Sequence, residues 1–202
     1  MSRRSDDDEI QLAAARAAAG DSRAFDDVCR AHADDVWRYC NAILRDRERA
    51  FDATQDTFLR ATSSIRRFRG DAPVRVWLLI IARRAVIDML RRDDRRNDRQ
   101  ALAPAPDAVT GADTEAVLIE QLVAELPEDR RQAFVLTQLV GLSYEEAAGV
   151  ADVPVGTIRS RVSRARRDLV TALAATDEAE PRRDQDPVAP TATLRRPEVS
   201  HG

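Results

Sequence analysis

The sequence predicts an all-α protein: two small helical domains joined by a flexible linker, the C-terminal one a helix-turn-helix. Three observations carry this. Apolar residues recur at three- and four-residue spacing over long stretches, the mark of amphipathic helices. Only seven glycines and few β-branched runs leave little material for a sheet. The segment 143–169, SYEEAAGVADVPVGTIRSRVSRARRDL, has the punctuation of a helix, a tight turn and a second, arginine-loaded helix. A length of 202 residues suits one large domain or two small ones.

Residues 6–19 read as a first helix. A longer one covers 22–45, where Phe25, Val28, Cys29, His32, Val36, Tyr39, Cys40 and Ile43 share a stripe. A third runs over 47–67. The fourth, 73–92, begins beside Pro73, a favoured early-helix residue. Its polar strip is narrow, Arg84, Asp88, Arg91 and Arg95, so it is expected to be buried on most sides and to form the core of an N-terminal domain, residues 1–92. From Asp93 the periodicity collapses into prolines, a glycine and charge, which predicts a flexible linker over 93–112. Helices resume at 113–125 and 127–140 and lead into the helix-turn-helix, giving a second domain over 113–175. Residues 176–202 hold four prolines and six acidic residues with hardly any apolar pattern, and disorder is expected there.

In the helix-turn-helix, Ser143 and Glu146 have capping-box spacing, and Gly141 is a natural stop for the preceding helix. Ile158, Val162, Ala165 and Leu169 make one apolar stripe. A rotation of about 100° per residue puts Ser160, Ser163, Arg164 and Arg167 on the opposite face, flanked by Arg159 and Arg166. One face buried and one offering guanidinium groups is what base edges and phosphates require. A merely solvated, salt-bridged helix fits poorly, because residues 153–175 hold five arginines against the single acidic Asp168.

The net charge of −3 conceals blocks: −4 over 1–59, +7 over 60–100, −8 over 101–152, +4 over 153–175 and −2 over 176–202. Two basic blocks flanking an acidic one predict two contacts with a polyanion. All 32 basic residues are arginine; a GC-rich genome alone produces that bias, so it is no argument for nucleic acid. Cys29 and Cys40, the only cysteines, fall about three turns apart on one helix, too far to bridge, and read as reduced, structural thiols. The absence of an apolar signal peptide or membrane-length run predicts a cytoplasmic protein with no membrane insertion. With no phosphate-binding glycine loop, no paired-ligand metal motif, no nucleophile with a plausible base and only His32 and His201 as histidines, no enzyme, cofactor or metal site is expected.

Three blocks, DATQDTFLRA (52–61), FRGDAPVRVWLLIIARRAVIDMLRR (68–92) and LPEDRRQAFVLTQLVGLSYEEAAGVADVPVGTIRSRVSRARRDL (126–169), resemble in kind and order the extracytoplasmic-function (ECF) group of sigma-70-like RNA polymerase sigma factors, over roughly residues 10–175. The resemblance implies a promoter-specificity subunit that joins core RNA polymerase and leaves catalysis to it. The first block resembles the helix that docks on the clamp coiled coil of the largest polymerase subunit, with Asp52, Gln55, Asp56 and Phe58 as contacts. The second is similar to the segment that grips the melted −10 strand. Phe68, Arg69, Gly70 and Asp71 match the loop that captures a flipped base, and Arg84, Arg91 and Arg92 match the phosphate track; Trp77 is read as core. The third is similar to the domain that reads duplex −35 DNA, with Ser160, Ser163 and Arg164 on bases and Arg159, Arg161 and Arg167 on the backbone or beside it. An anti-sigma factor is implied as a further partner.

The chain departs from the family's pattern at several places. Phe51 stands where an acidic residue is common, Ala53 for leucine, Ile80 for a basic residue, Arg84 for asparagine and Asp152 for the turn glycine. Aspartate tolerates a left-handed backbone, so the turn is expected to survive. The rival reading, a free-standing helix-turn-helix regulator, leaves the 52–61 and 68–92 blocks without a purpose.

Overall fold

The computed structural model describes residues 2–97 and 114–179, and every regular element among them is helical. The first four helices are α1 (Ser2–Ala18), α2 (Ser22–Leu44), α3 (Arg47–Ser64) and α4 (Val74–Asn97), with a 3₁₀ turn at Ile65–Arg67. The second four are α5 (Thr114–Glu125), α6 (Glu128–Phe134), α7 (Tyr144–Ala151) and α8 (Val155–Ala179). Aspartates open two of them: Asp21 accepts from the Ala24 amide at 3.1 Å and Asp46 from the Arg49 amide at 3.0 Å, satisfying amides that have no partner within the helix. Between those caps α2 closes on Arg45 in a left-handed conformation (φ 57°).

Within the first unit α2 packs against α1, α3 and α4, and α3 against α4. Val28, Val36 and Tyr39 of α2 are fully buried with Leu78, Leu79 and Val86 of α4. The expected α2 stripe is therefore the core face, with Phe25 and Cys29 at its half-buried margin. Burial, with Asp26 adding to it, pushes the Cys29 thiol up to about 11, and burial also raises that of Cys40. Neither is poised as a nucleophile at neutral pH.

Two ion pairs brace α3 against α4. Arg60 reaches Asp56 on its own helix and Asp88 on α4, each at 2.7 Å, while Arg49 pairs with Asp93. This second brace explains a difference from expectation: α4 does not end at 92 but continues to Asn97. The loss of apolar periodicity at Asp93 marks the end of burial, not of the helix, since DDRRN contains no helix breaker. The first residues of the expected linker are thus helical, and 98–112 lie outside the described residues. α8 likewise runs to Ala179, past the expected boundary at 175, through an alanine-rich stretch; 180–202 lie outside the described residues.

The second unit is built on α8, against which α5, α6 and α7 pack. Its core holds Val135, Leu136, Val150, Ile158 and Val162. The expected helix over 127–140 is interrupted: after Phe134 it widens into a π turn at Val135–Leu139, where the Val140 amide bonds to the Val135 carbonyl at 2.9 Å. Gly141 (φ 81°) then ends it. The capping box before α7 is formed in both directions, Ser143 amide to Glu146 Oε2 at 2.8 Å and Glu146 amide to Ser143 Oγ at 3.2 Å. Asp152 takes the left-handed turn position at φ 56°.

The two units touch. α4 packs against α7, and α2 against α5 and α6, so the buried apolar residues of both form one continuous cluster.

Two stability predictions follow from these contacts. Ser143→Ala removes one arm of the capping box and is expected to cost about 1 kcal/mol in urea unfolding. Asp88→Asn is expected to cost about 1 kcal/mol or less near pH 7, because the pair is partly solvated. Hydrogen bonding from Arg60 outweighs burial and holds the Asp88 carboxyl below its usual range. Its contribution is therefore present above the unfolded value and lost as the pH falls through the folded one. Melting curves of native and variant should accordingly converge as the pH falls below about 4.

Candidate nucleic-acid interface

On α8 the apolar stripe Ile158, Val162 and Ala165 is buried, and Arg159, Ser163, Arg164, Arg166 and Arg167 are exposed on the outer side. Two residues expected on that surface are otherwise engaged. Ser160 is half-buried and donates to the Thr157 carbonyl at 2.9 Å. Arg161 is half-buried with its Nε 3.2 Å from Asp129 of α6. Arg130, also on α6, reaches Asp168 of α8 at 2.6 Å, and Arg166 donates to Gln138 Oε1 at 2.9 Å. Neighbouring residues 129 and 130 thus carry opposite charges to α8, fixing its rotation and register with the remaining arginines outward. Sequence reasoning missed these α6 partners, because nothing in the spacing of 128–131 says which charge meets α8.

The second surface lies where the 3₁₀ turn leads into α4. Phe68 packs against the core and its ring lies 5.4 Å from that of Trp77, tilted by 55°. Trp77 is half-buried, so it edges the core and does not fill it. Arg69, Gly70 and Asp71 are exposed, with Gly70 at φ 78°, a conformation that glycine adopts without strain. Gln11 of α1 accepts from the Val74 amide at 2.9 Å, tying the loop's far end to α1. That glutamine had no periodic or motif signal. Arg84, Arg91 and Arg92 are exposed along α4.

The third surface is the outer side of α3. Asp52 and Gln55 are exposed, and Phe51 and Leu59, 57% and 68% exposed, lie with them at helical spacing. Two large apolar side chains in water beside a carboxylate and an amide are the composition of a contact surface. Asp56 is half-buried in its pair with Arg60, and Phe58 is half-buried against the core. Both therefore support the helix from within more than they present to a partner. Phe51, noted in the sequence only as a departure, belongs to the surface.

Residues 28–96 match the family model of Sigma-70 region 2 and residues 116–169 that of Sigma-70, region 4. The chain is 43% identical over 172 residues to ECF RNA polymerase sigma factor SigC of Mycobacterium tuberculosis, covering 82% of this chain and 92% of the relative. It is 34% identical over 157 residues to SigM of the same species, covering 77% and 80%. Among solved structures, CnrH in complex with the cytosolic domain of CnrY matches with a TM-score of 0.65 at 28% identity, over 82% of this chain and 97% of that one. The sigma factor RpoE in complex with the anti-sigma factor NepR, from Bartonella quintana, matches with a TM-score of 0.69 at 25% identity, over 74% and 96%. The family models thus cover both units, and the chain belongs to the ECF sigma factors, which bind core RNA polymerase and promoter DNA to initiate transcription.

Proposed function

We propose that residues 1–92 dock on core polymerase and capture the −10 strand, while 113–175 read the −35 element. The observation that carries this division is the set of arginines left outward once internal partners are satisfied. On α8, Arg159, Arg164 and Arg167 are exposed beside Ser163, whereas Arg161 is taken by Asp129. Arg164 and Ser163 read base edges, and Arg159 and Arg167 hold phosphates. Ser160, half-buried, lines the margin, and Arg161 positions the helix.

At −10, the exposed Arg69–Gly70–Asp71 loop over the Phe68–Trp77 pair receives an unstacked base. Arg84, Arg91 and Arg92 track the backbone of the single strand. Melting is driven by binding of bases and phosphates that become accessible only when the duplex opens. No chemical step belongs to this chain; bond formation stays with the polymerase. Asp52 and Gln55, with Phe51 and Leu59 beside them, meet the clamp coiled coil of the largest subunit, and Asp56 and Phe58 shape that face from behind. The site of action is the cytoplasm, where core RNA polymerase and promoter DNA meet. The likeness to RpoE, solved in complex with the anti-sigma factor NepR, supports control by an anti-sigma factor.

Two measurements test the division. Labelled native chain is expected to bind core RNA polymerase, and Asp52→Ala/Gln55→Ala to weaken binding by about tenfold or more. Asp56 is left intact in that variant because its loss also opens the Arg60 brace. Unchanged binding would remove this face of α3 from the interface. In holoenzyme, Arg164→Ala should lower promoter affinity by about 5- to 100-fold with altered preference at one −35 position. A uniform loss on all sequences would make Arg164 a phosphate contact only.

A further inference from the structure

Arg164, assigned above to a base edge, has two charged neighbours on its own helix. Arg161 lies one turn before it and Asp168 one turn after, at the three- and four-residue spacings where helical side chains meet. Left to themselves, both would act on Arg164: Asp168 is placed to pair with its guanidinium, and Arg161 to set a second cation beside it. Neither is left to itself. Arg161 Nε stands 3.2 Å from Asp129 Oδ2, and Asp168 Oδ2 lies 2.6 Å from Arg130 Nη1. Two consecutive residues of α6 thus take opposite charges from α8, while Arg164 stays exposed with no ion pair among the described residues.

At about 100° per residue, Arg161 and Asp168 fall within about 20° of each other on the circumference of α8, and both lie within about 60° of Arg164. They occupy the border between the buried stripe and the outer face. A free guanidinium there is long enough to swing onto a phosphate, a contact that every DNA sequence offers. A free carboxylate there would draw the base-reading arginine aside. Arg166, on the other flank, bonds to the neutral amide of Gln138 at 2.9 Å, so no charge is cancelled on that side. The cancellation is confined to the flank beside Arg164. The side chains of both pairs are between 24% and 50% exposed, so each pair adds little stability. Their consequence lies in which charges the outer face of α8 retains.

We propose that Asp129 and Arg130 are positioning residues for −35 recognition. Arg130 withholds Asp168 from Arg164 and so preserves the base contact. Asp129 withholds Arg161 from phosphates and so limits the affinity that no sequence controls. This rests on the reading of α8 as the −35 helix. The two residues act on binding in opposite directions, which a purely structural role for the contact between α6 and α8 does not produce.

The test uses the full chain in holoenzyme with core RNA polymerase. Its probes are a duplex whose −35 element the native holoenzyme selects from a randomised library, and the same duplex with that element scrambled. Arg130→Gln should weaken binding to the selected element by about two- to fivefold and leave binding to the scrambled one nearly unchanged. Adding Asp168→Asn should restore the ratio. Asp129→Asn should tighten binding to both duplexes alike and steepen the slope of log affinity against log salt by about one. Adding Arg161→Gln should return both to native values. Circular dichroism and melting check that each variant is folded, and a loss caused by a loosened α8 would persist in both double variants, since neither rebuilds the missing contact. The proposal is overturned by an Arg130→Gln ratio equal to native, by a loss that Asp168→Asn does not reverse, or by an Asp129→Asn variant that binds more weakly or keeps the native salt slope. If the selection yields no preferred −35 element, the assignment of α8 to −35 falls instead, and the salt slope of Asp129→Asn on any duplex still judges its hold on Arg161.

Discussion

Helix α4 sets the constraint on which the other elements depend. Its buried residues, Val74, Val76, Leu78, Leu79, Ile81, Ala82, Ala85 and Val86, sweep about 220° of the helix circumference at about 100° per residue. One neighbouring helix covers roughly 100° of such a surface. Two neighbours, α2 and α3, therefore leave apolar surface over, and α7 of the other unit packs on it. The narrow polar strip left on α4 carries Arg84 and, further along, Arg91 and Arg92 toward solvent. The same composition that buries α4 thus also aims its cations.

Electrostatics sorts the rest of the surface. An arginine beside a carboxylate on a packed neighbour becomes structural, as Arg49, Arg60, Arg75, Arg130 and Arg161 do. Others, among them Arg159, Arg164 and Arg167, stay exposed. The acidic block over 101–152 acquires a purpose in this scheme: Asp129 draws Arg161 inward while Arg159, Arg164 and Arg167 of α8 stay exposed. Such pairs are partly exposed, so each adds little stability by itself. Their effect is orientation, because several charged contacts between α6 and α8 cannot all be kept if α8 rotates or slides.

Local signals were legible in the sequence and partner choices were not. The α2 stripe, the Ser143–Glu146 capping box, the Gly141 stop and the left-handed Asp152 depend on residues within one or two turns, and each is found as read. The ends of α4 and α8 were misjudged because apolar periodicity reports burial, and a helix of arginine and alanine persists after burial ends. Ser160, Arg161, Asp56 and Phe58 were placed by position on a helical wheel or by resemblance, neither of which knows what packs opposite. Asp129 meets Arg161, Arg60 holds Asp56, the Thr157 carbonyl takes Ser160 and the core takes Phe58. Nothing local assigns a contact to Gln11, Gln132 or Arg75, since their bonds arise only when segments tens of residues apart meet.

The contact between the two units divides its tasks by chemistry. Apolar residues of α4 and α7 join the buried residues of both units in one cluster, and that burial supplies the cohesion. Two polar bonds, Gln132 to the Tyr39 hydroxyl and Arg75 to the Val140 carbonyl, add direction: one joins α6 to α2 and the other joins α4 to the end of the π turn. Polar bonds exchanged for water contribute modestly to stability, so their effect lies in orientation, since apolar packing alone tolerates small rotations that these bonds do not.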